Sequence, residues 1–378
     1  MVATLLISVS VTLPMVGVKA GEHADWAQPR YDSSLSAYNA EEQTLSPHRI
    51  RDIEPTHVFD LGRPTGPPLV AGGDLLTMVD GDLTRISLDG TLRWTRTVCG
   101  DTGPRGDPGL TLIGDTLAYW DHSGSCIEPY AMNAVDAATG EHRWADDELL
   151  SAAGSDVLIG RRLVHDDETG DANLSTVGVD PVTGSFLWDT RDADIGPIHD
   201  GVAYLTIYGV LRRIDPMTGN ATLPPIRHRN LDRAIALADD HLYLGLEAPG
   251  KRSSVASVDP ESGALEWRVP VPALHHLSLS AGGGTVVLSR GDSRLHPAFT
   301  VAIDADNGEA RWASDLVGSA HVVGSGGVFF LRGRSGEGTV AVRGTDGAIL
   351  RRLPGVHRVV IADGVVVATK DDTIEIWA

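Results

Sequence analysis

The 378-residue chain carries a net charge of −20 with its histidines neutral, and it is 42% apolar and only 22% charged. A surface that acidic repels phosphate backbones, which excludes wholesale nucleic-acid binding, while the apolar content suits a large core and not a disordered chain. Forty-three glycines and 21 prolines, with few aromatics, point to many turns between short strands.

In chain order, residues 1–18 (MVATLLISVSVTLPMVGV) form an uncharged apolar run that ends before Lys19. Its length and the small residues around Val18-Lys19-Ala20 read as a signal peptide over 1–20, with an uncleaved membrane anchor as the alternative. The basic n-region of a signal peptide is missing, and Pro14 and the short length weigh against a spanning helix. The protein is therefore expected outside the cytoplasm, secreted or associated with the cell envelope. Membrane contact is expected only through that segment. Residues 21–55 read as a leader packing on the domain that follows, and 56–378 as one domain.

A repeat dominates the remainder. AVDAATGEHRW (134–144), GVDPVTGSFLW (178–188), SVDPESGALEW (257–267) and AIDADNGEARW (302–312) share Asp, three residues, Gly, three residues, Trp. The positions are Asp136, Gly140, Trp144; Asp180, Gly184, Trp188; Asp259, Gly263, Trp267; and Asp304, Gly308, Trp312. Weaker copies are SLDGTLRW (87–94, with Gly90 and Trp94), RIDPMTGNATL (213–223) and AVRGTDGAILR (341–351). Glycine-to-glycine spacings are 50, 44, 35, 44, 45 and 39, a period matching one four-stranded propeller blade and too long for leucine-rich or ankyrin repeats.

Within one repeat, RAIALAD, DHLYLGLEA, SSVASVD and GALEWRVPV (233–271) read as four short strands separated by turn residues. Asp ends the third strand and accepts turn N–H groups, Gly supplies a positive φ, and Trp opens the fourth strand as an apolar wedge between blades. The start DADNG at Asp304, Asp306 and Asn307 has the look of a calcium loop, but the chelating spacing does not continue, so it reads as a turn. Leu223 and Arg351 stand where Trp is expected, which predicts two loosely wedged junctions.

Seven copies make seven blades. The C-terminal HRVVIADGVVVATKDDTIEIWA supplies three more strands, and THVFDLGRP (56–64) supplies a fourth. The expected fold is all-β: an eight-bladed β-propeller of four-stranded antiparallel blades, closed by pairing of N- and C-terminal strands, with a seven-bladed ring as the alternative.

The form Ala-x-Asp-x-x-Thr-Gly-x-x-x-Trp at Ala134, Asp136, Thr139, Gly140 and Trp144 resembles the tryptophan-docking repeat of the pyrroloquinoline quinone (PQQ)-like propellers. That superfamily includes the quinoprotein alcohol dehydrogenases and the propeller lipoprotein of the bacterial outer-membrane β-barrel assembly machinery. The resemblance covers about 56–378, and WAQPRYDSSLSAYNAEEQTLSP (26–47) is similar to the segment before blade one in exported bacterial members. For the dehydrogenases it implies a vicinal disulfide, a calcium held by Glu, Asn and Asp, and a catalytic Asp. This sequence has no Cys-Cys pair, no Cys-x-x-Cys-His and no long insertion to cap a cofactor. Catalytic residues, cofactors and metals are therefore expected to be none. The expected function is a non-enzymatic exported propeller, a protein-interaction or ligand-sensing module of the bacterial cell envelope. The alternative is a PQQ-dependent or other enzyme with its site in the central channel.

His275-His276 are adjacent, so a strand would point the rings to opposite faces. Asp121, His122, Ser123 and Cys126 lie close in sequence but read as a polar loop. Cys99 and Cys126 fall in neighbouring segments of one face, so in an exported protein they are expected to form a disulfide. On that face Arg227, His228, Arg229, Lys251, Arg252, Arg290, Arg294, Arg332 and Arg334 suggest a basic arc. Arg227, Arg229, Arg252, Arg290 and Arg294 are the candidate partner-binding residues, for an unknown protein or an anionic envelope polymer. A monomer is expected.

Overall fold

The computed structural model describes residues 35–62, 64–98, 109–120, 132–146, 149–154, 156–165, 172–191, 193–247, 253–274, 277–290, 298–314, 322–333 and 337–378. These strands form eight sheets, each a four-stranded antiparallel blade, with one extra leader strand added to the seventh. Apart from a single 3-10 turn at Arg49–Arg51, no helix occurs among the described residues. The ring is the eight-bladed propeller that the repeat and the two chain ends predicted.

Blade five shows why these residues make such strands. Leu231–Ala238, His241–Leu246, Ser253–Val258 and Leu265–Val271 pair in order from the axis outward. Alternate residues of the second strand serve two cores. Leu242, Leu244 and Leu246 pack with Tyr204 and Leu211 of blade four, while Tyr243 packs with Leu279, Ala281 and Val286 of blade six. A blade buried on both faces has no polar side, so its second strand reads as a continuous apolar run. The outer strand meets solvent and alternates, as in Phe186–Arg191 and Leu92–Thr97.

Blade eight closes the ring. Arg358–Ala362, Val365–Lys370 and Thr373–Trp377 come from the C-terminus, and Pro55–Asp60 supplies the outer strand. Val58 pairs with Glu375 and Phe59 with Ile374, and Glu54 and Ala378 exchange backbone hydrogen bonds. The ladder leaves no unpaired edge at the closure point.

The described leader crosses the face that carries the first hairpin turns. Tyr38–Asn39 pairs in parallel with the inner strand of blade seven at Gly324 and Ser325, on its axial side. From there the chain runs outward over blades seven and eight. Leu45, Ile50 and Ile53 are buried in the core beneath it, and the strap then enters the outer strand of blade eight.

Candidate functional site

The repeat builds a ring of wedges. Each motif Asp accepts the turn: Asp136 Oδ1 takes the Ala138 and Thr139 N–H groups, both at 2.9 Å, and Asp180, Asp215 and Asp304 do the same in their own turns. Asp304, Asp306 and Asn307 are thus a turn, with Arg311 on the Asp304 carboxylate at 2.7 Å. Asp259 accepts from the Ser262 hydroxyl and N–H. The glycines have φ near +70°, and a Cβ on Gly308 would lie 2.9 Å from the Trp267 ring, so both backbone and space demand glycine.

Each Trp covers the glycine of the next blade and donates its indole N–H to the carbonyl three residues before it. Trp94 reaches Ala137, Trp144 Pro181, Trp188 Pro216, Trp267 Ala305 and Trp312 Gly344, at 2.6–3.1 Å. Opposite four of these tryptophans stands a small residue: Ala134, Gly178, Ser257 or Ala302.

The two junctions without Trp are not left loose, which corrects the expectation. Between blades four and five, Ile226 covers Gly263. Arg213, opposite Leu223, sends its guanidinium to Pro260 O at 2.6 Å, to Glu261 O and to Pro224 O. Pro260 is again the residue three before the glycine. The signal was present in the sequence: RID…L appears where the four strong copies read AVD, GVD, SVD or AID with Trp. In blade one Arg85, opposite Trp94, joins the indole on Ala137 O. Blade eight has no motif glycine, because chain ends replace its turn. There Arg351 lies over the Trp377 ring at 5.4 Å and donates to Arg51 O and Glu54. Phe59 covers Gly90 and completes the circuit.

At the axial end under the leader a second built site appears. Tyr38 is buried in a slot formed by Gly282, Gly283 and Gly324, and Gly327 N donates to its hydroxyl at 3.0 Å. Asn39 Nδ2 donates to Ile361 O at 2.8 Å. The buried Glu42 carboxylate accepts from Thr44, Leu45 and Gly364 N–H groups. Sequence reasoning placed a packing leader here, but the glycines that make the slot lie about 245–290 residues downstream of Tyr38, and nothing local marks them.

The candidate partner-binding arginines separate. Arg227 and Arg229 are exposed at the end of the outer strand of blade four. Arg290 is only 2% exposed, near the Phe299 ring, so it belongs to the interior of blade six and not to an exposed arc. Its strand, Thr285–Arg290, is buried throughout. His228 Nε2 lies 2.9 Å from Gly263 O, so that side chain is tied to the wedge. Arg252, Arg294, Cys99, Cys126, Asp121, His122, Ser123 and the His275-His276 pair lie outside the described residues.

One Ser–His–acid cluster occurs in blade five. His241 Nδ1 is 2.7 Å from Glu266, and Ser257 donates to that same carboxylate at 2.6 Å. A nucleophile–base pair needs the serine on one ring nitrogen and the acid on the other. Here Ser257 and Glu266 both crowd Nδ1, and the buried serine donates to Glu266. Asp306 stands 3.6 Å from Nε2, beyond hydrogen-bond reach, so the cluster is a polar clasp. Nearby, burial pushes the Tyr243 hydroxyl far up from the usual tyrosine range.

No family model matches the chain, and no curated protein sequence does. The fold, in contrast, matches solved structures. The quinohemoprotein alcohol dehydrogenase from Comamonas testosteroni superposes with a TM-score of 0.62 at 13% identity, over 95% of this chain and 81% of that one. A europium-containing methanol dehydrogenase gives 0.55 at 12%, over 90% and 87%. A dihydro-haem d1 dehydrogenase gives 0.55 at 12%, over 77% and 66%. The chain therefore has the quinoprotein-type propeller fold. At these identities the likeness is one of fold, and it carries no separate support for the assembly-machinery lipoprotein.

Three of the matched structures are dehydrogenases, which goes against the expectation of a non-enzymatic protein. A eukaryotic initiation factor shares the ring with a TM-score of 0.54 at 9% identity, over 76% of this chain and 75% of that one, so the likeness carries the fold and not the role. The dehydrogenase matches do not bring the quinone with them. The resemblance calls for adjacent cysteines and a Glu–Asn–Asp calcium set. The only cysteines are 99 and 126. Among the described residues no three His, Cys, Asp or Glu side chains converge as metal ligands. The sequence lacks the adjacent cysteines of that arrangement, and no chemistry is assigned to a quinone.

Proposed function

We propose that the protein is an oxidoreductase-type propeller enzyme whose reacting site lies on the axis, entered from the face opposite the leader. The seat of the leader supports this most directly. Tyr38, Asn39 and Glu42 occupy one axial end with buried, hydrogen-bonded side chains, which favours the other end for a substrate. Loops on a rigid scaffold at such a mouth are the usual place for chemistry. That three of the matched structures are dehydrogenases favours redox chemistry among the enzyme classes. The apolar run at 1–20 supports export, which fractionation with N-terminal sequencing of the mature chain tests.

Dye-coupled dehydrogenase assays on primary alcohols and aldehydes, with and without added quinone and calcium, test the function. Dye reduction in at least one arm is the expected result. Reduction only with quinone would identify quinone as the group that carries the electrons from substrate to dye, and reduction without it would show that the purified protein retains another redox group. No reduction in either arm would overturn the proposal.

A further inference from the structure

A cleft of about 370 Å³ opens at the rim on the outer half of blade four, floored by Ile207, Leu223 and Pro225 and edged by Tyr208, Arg212 and Arg227. A second cavity of about 270 Å³ shares Ile207 and Arg212 and continues to Trp188, Asp189 and Thr190 of blade three, so the acid lies in this second cavity and not in the cleft between Arg212 and Arg227. The combined space is of the size that holds a small ligand. It lies on the shortest repeat of the ring, which carries Leu223 where its neighbours carry an indole.

Three observations point to what fills it. Arg212 and Arg227 are both exposed, and no ion pair engages either among the described residues. Tyr208 is 82% exposed at the lip, in a two-residue turn with φ of +47° before Gly209 at +73°. Among the described propeller residues, every other non-glycine residue at positive φ is Asp or Asn, side chains that tolerate this region far better than an aromatic. Two exposed guanidinium groups with no ion pair among the described residues thus flank an apolar floor, with a tyrosine at positive φ on the lip.

We propose that this cleft binds a small amphipathic carboxylate, with its apolar body on Ile207, Leu223 and Pro225, its head between Arg212 and Arg227, and Tyr208 over it. The net charge of −20 argues for a small monoanion over a polyanionic polymer. A polymer extends well past the reach of two arginines, about 8 Å at physiological salt, into repulsive field. The site is separate from the axis and does not depend on the proposed enzyme.

Isothermal titration of the full chain with octanoate, octan-1-ol and octylammonium tests it. Octanoate is expected to bind saturably at one site, about tenfold or more tighter than either analogue. The Arg212→Gln/Arg227→Gln variant should lose about tenfold in octanoate affinity with its melting temperature unchanged. Tyr208→Asn, which suits the turn, should weaken binding about threefold while leaving stability equal or higher. Octylammonium binding as tightly as octanoate, no saturable binding, or an arginine double variant within twofold of the parent would overturn the proposal. So would an acidic peptide that binds this cleft more tightly than octanoate.

Discussion

Arg213→Ala tests the claim that a guanidinium replaces an indole at the fourth junction. The parent guanidinium, 2% exposed as part of Arg213, donates to Pro260 O, Glu261 O and Pro224 O, two of which belong to blade five. A hydrogen bond from a charged donor nets about 1.5–3 kcal/mol. Three of them would give a gross contribution above ~4 kcal/mol. Against this stands the cost of holding a charge in the interior, with Nε unbonded. The truncation also lets water reach part of the junction. The net loss expected is therefore about 3 kcal/mol, comparable to removing a buried aromatic wedge. Urea unfolding followed by tryptophan fluorescence measures it, with the exposed Arg229→Ala as the control, expected within about 0.5 kcal/mol. Hydrogen exchange adds a local readout: the Gly263 N–H, bonded to Asp259 O, should exchange faster in Arg213→Ala and not in the control. A loss no larger than that of the control, with Gly263 exchange unchanged, would refute the replacement.

Acid should act through the motif carboxylates. Turn N–H groups and Arg143 hold Asp136 below the usual carboxylate range, the Ser262 hydroxyl and N–H do so for Asp259, and Arg311 does so for Asp304. The Ser87 hydroxyl and the Thr91 N–H lower Asp89 to about 2. Groups with depressed native pKa stabilise the fold above their ordinary value near 3.8 and lose that contribution as pH falls through the native values. The urea midpoint should thus be level from pH 7 to about 5 and fall steeply below about 4, and a midpoint that rises on acidification would contradict the turn geometry. Tyr243→Phe removes a fully buried hydroxyl with no hydrogen-bond partner, so it should be neutral or stabilise by up to about 1 kcal/mol in the same assay. We propose a Cys99–Cys126 disulfide: intact mass after alkylation should show no added groups until the chain is reduced, and two added groups without reductant would exclude it.

The ring was legible because its physics is local and repeated. Asp136, Gly140 and Trp144 lie within nine residues, and each does its work inside one turn or on the adjacent blade, so four good copies disclose the whole device. The closure was legible for a related reason: three C-terminal strands and one orphan N-terminal strand leave a single economical pairing, observed at Val58 and Glu375. What was hidden depends on distant partners. Tyr38 reads as an ordinary leader residue until Gly282 and Gly324 form its slot. Arg290 reads as a loop arginine, but the second strand of blade six, Thr285–Arg290, carries it inside. Leu223 reads as a lost wedge until Arg213 stands opposite it, where four other copies keep a small residue to admit an indole.

Blade four gathers departures that a purely structural repeat would have removed. Its spacing from the preceding motif glycine is the shortest, 35 residues; its outer strand carries Pro224-Pro225; its turn strains Tyr208. Local rules broken together, each with a compensation nearby, mark positions under a demand other than folding. Arg213 and Ile226 restore the junction toward blade five, while on the side toward blade three Arg212 and Arg227 make no ion pair among the described residues. Had the change served only to shorten the blade, Asp or Asn at 208 would have cost the ring nothing. The axis and the rim are thus separate questions in one disc.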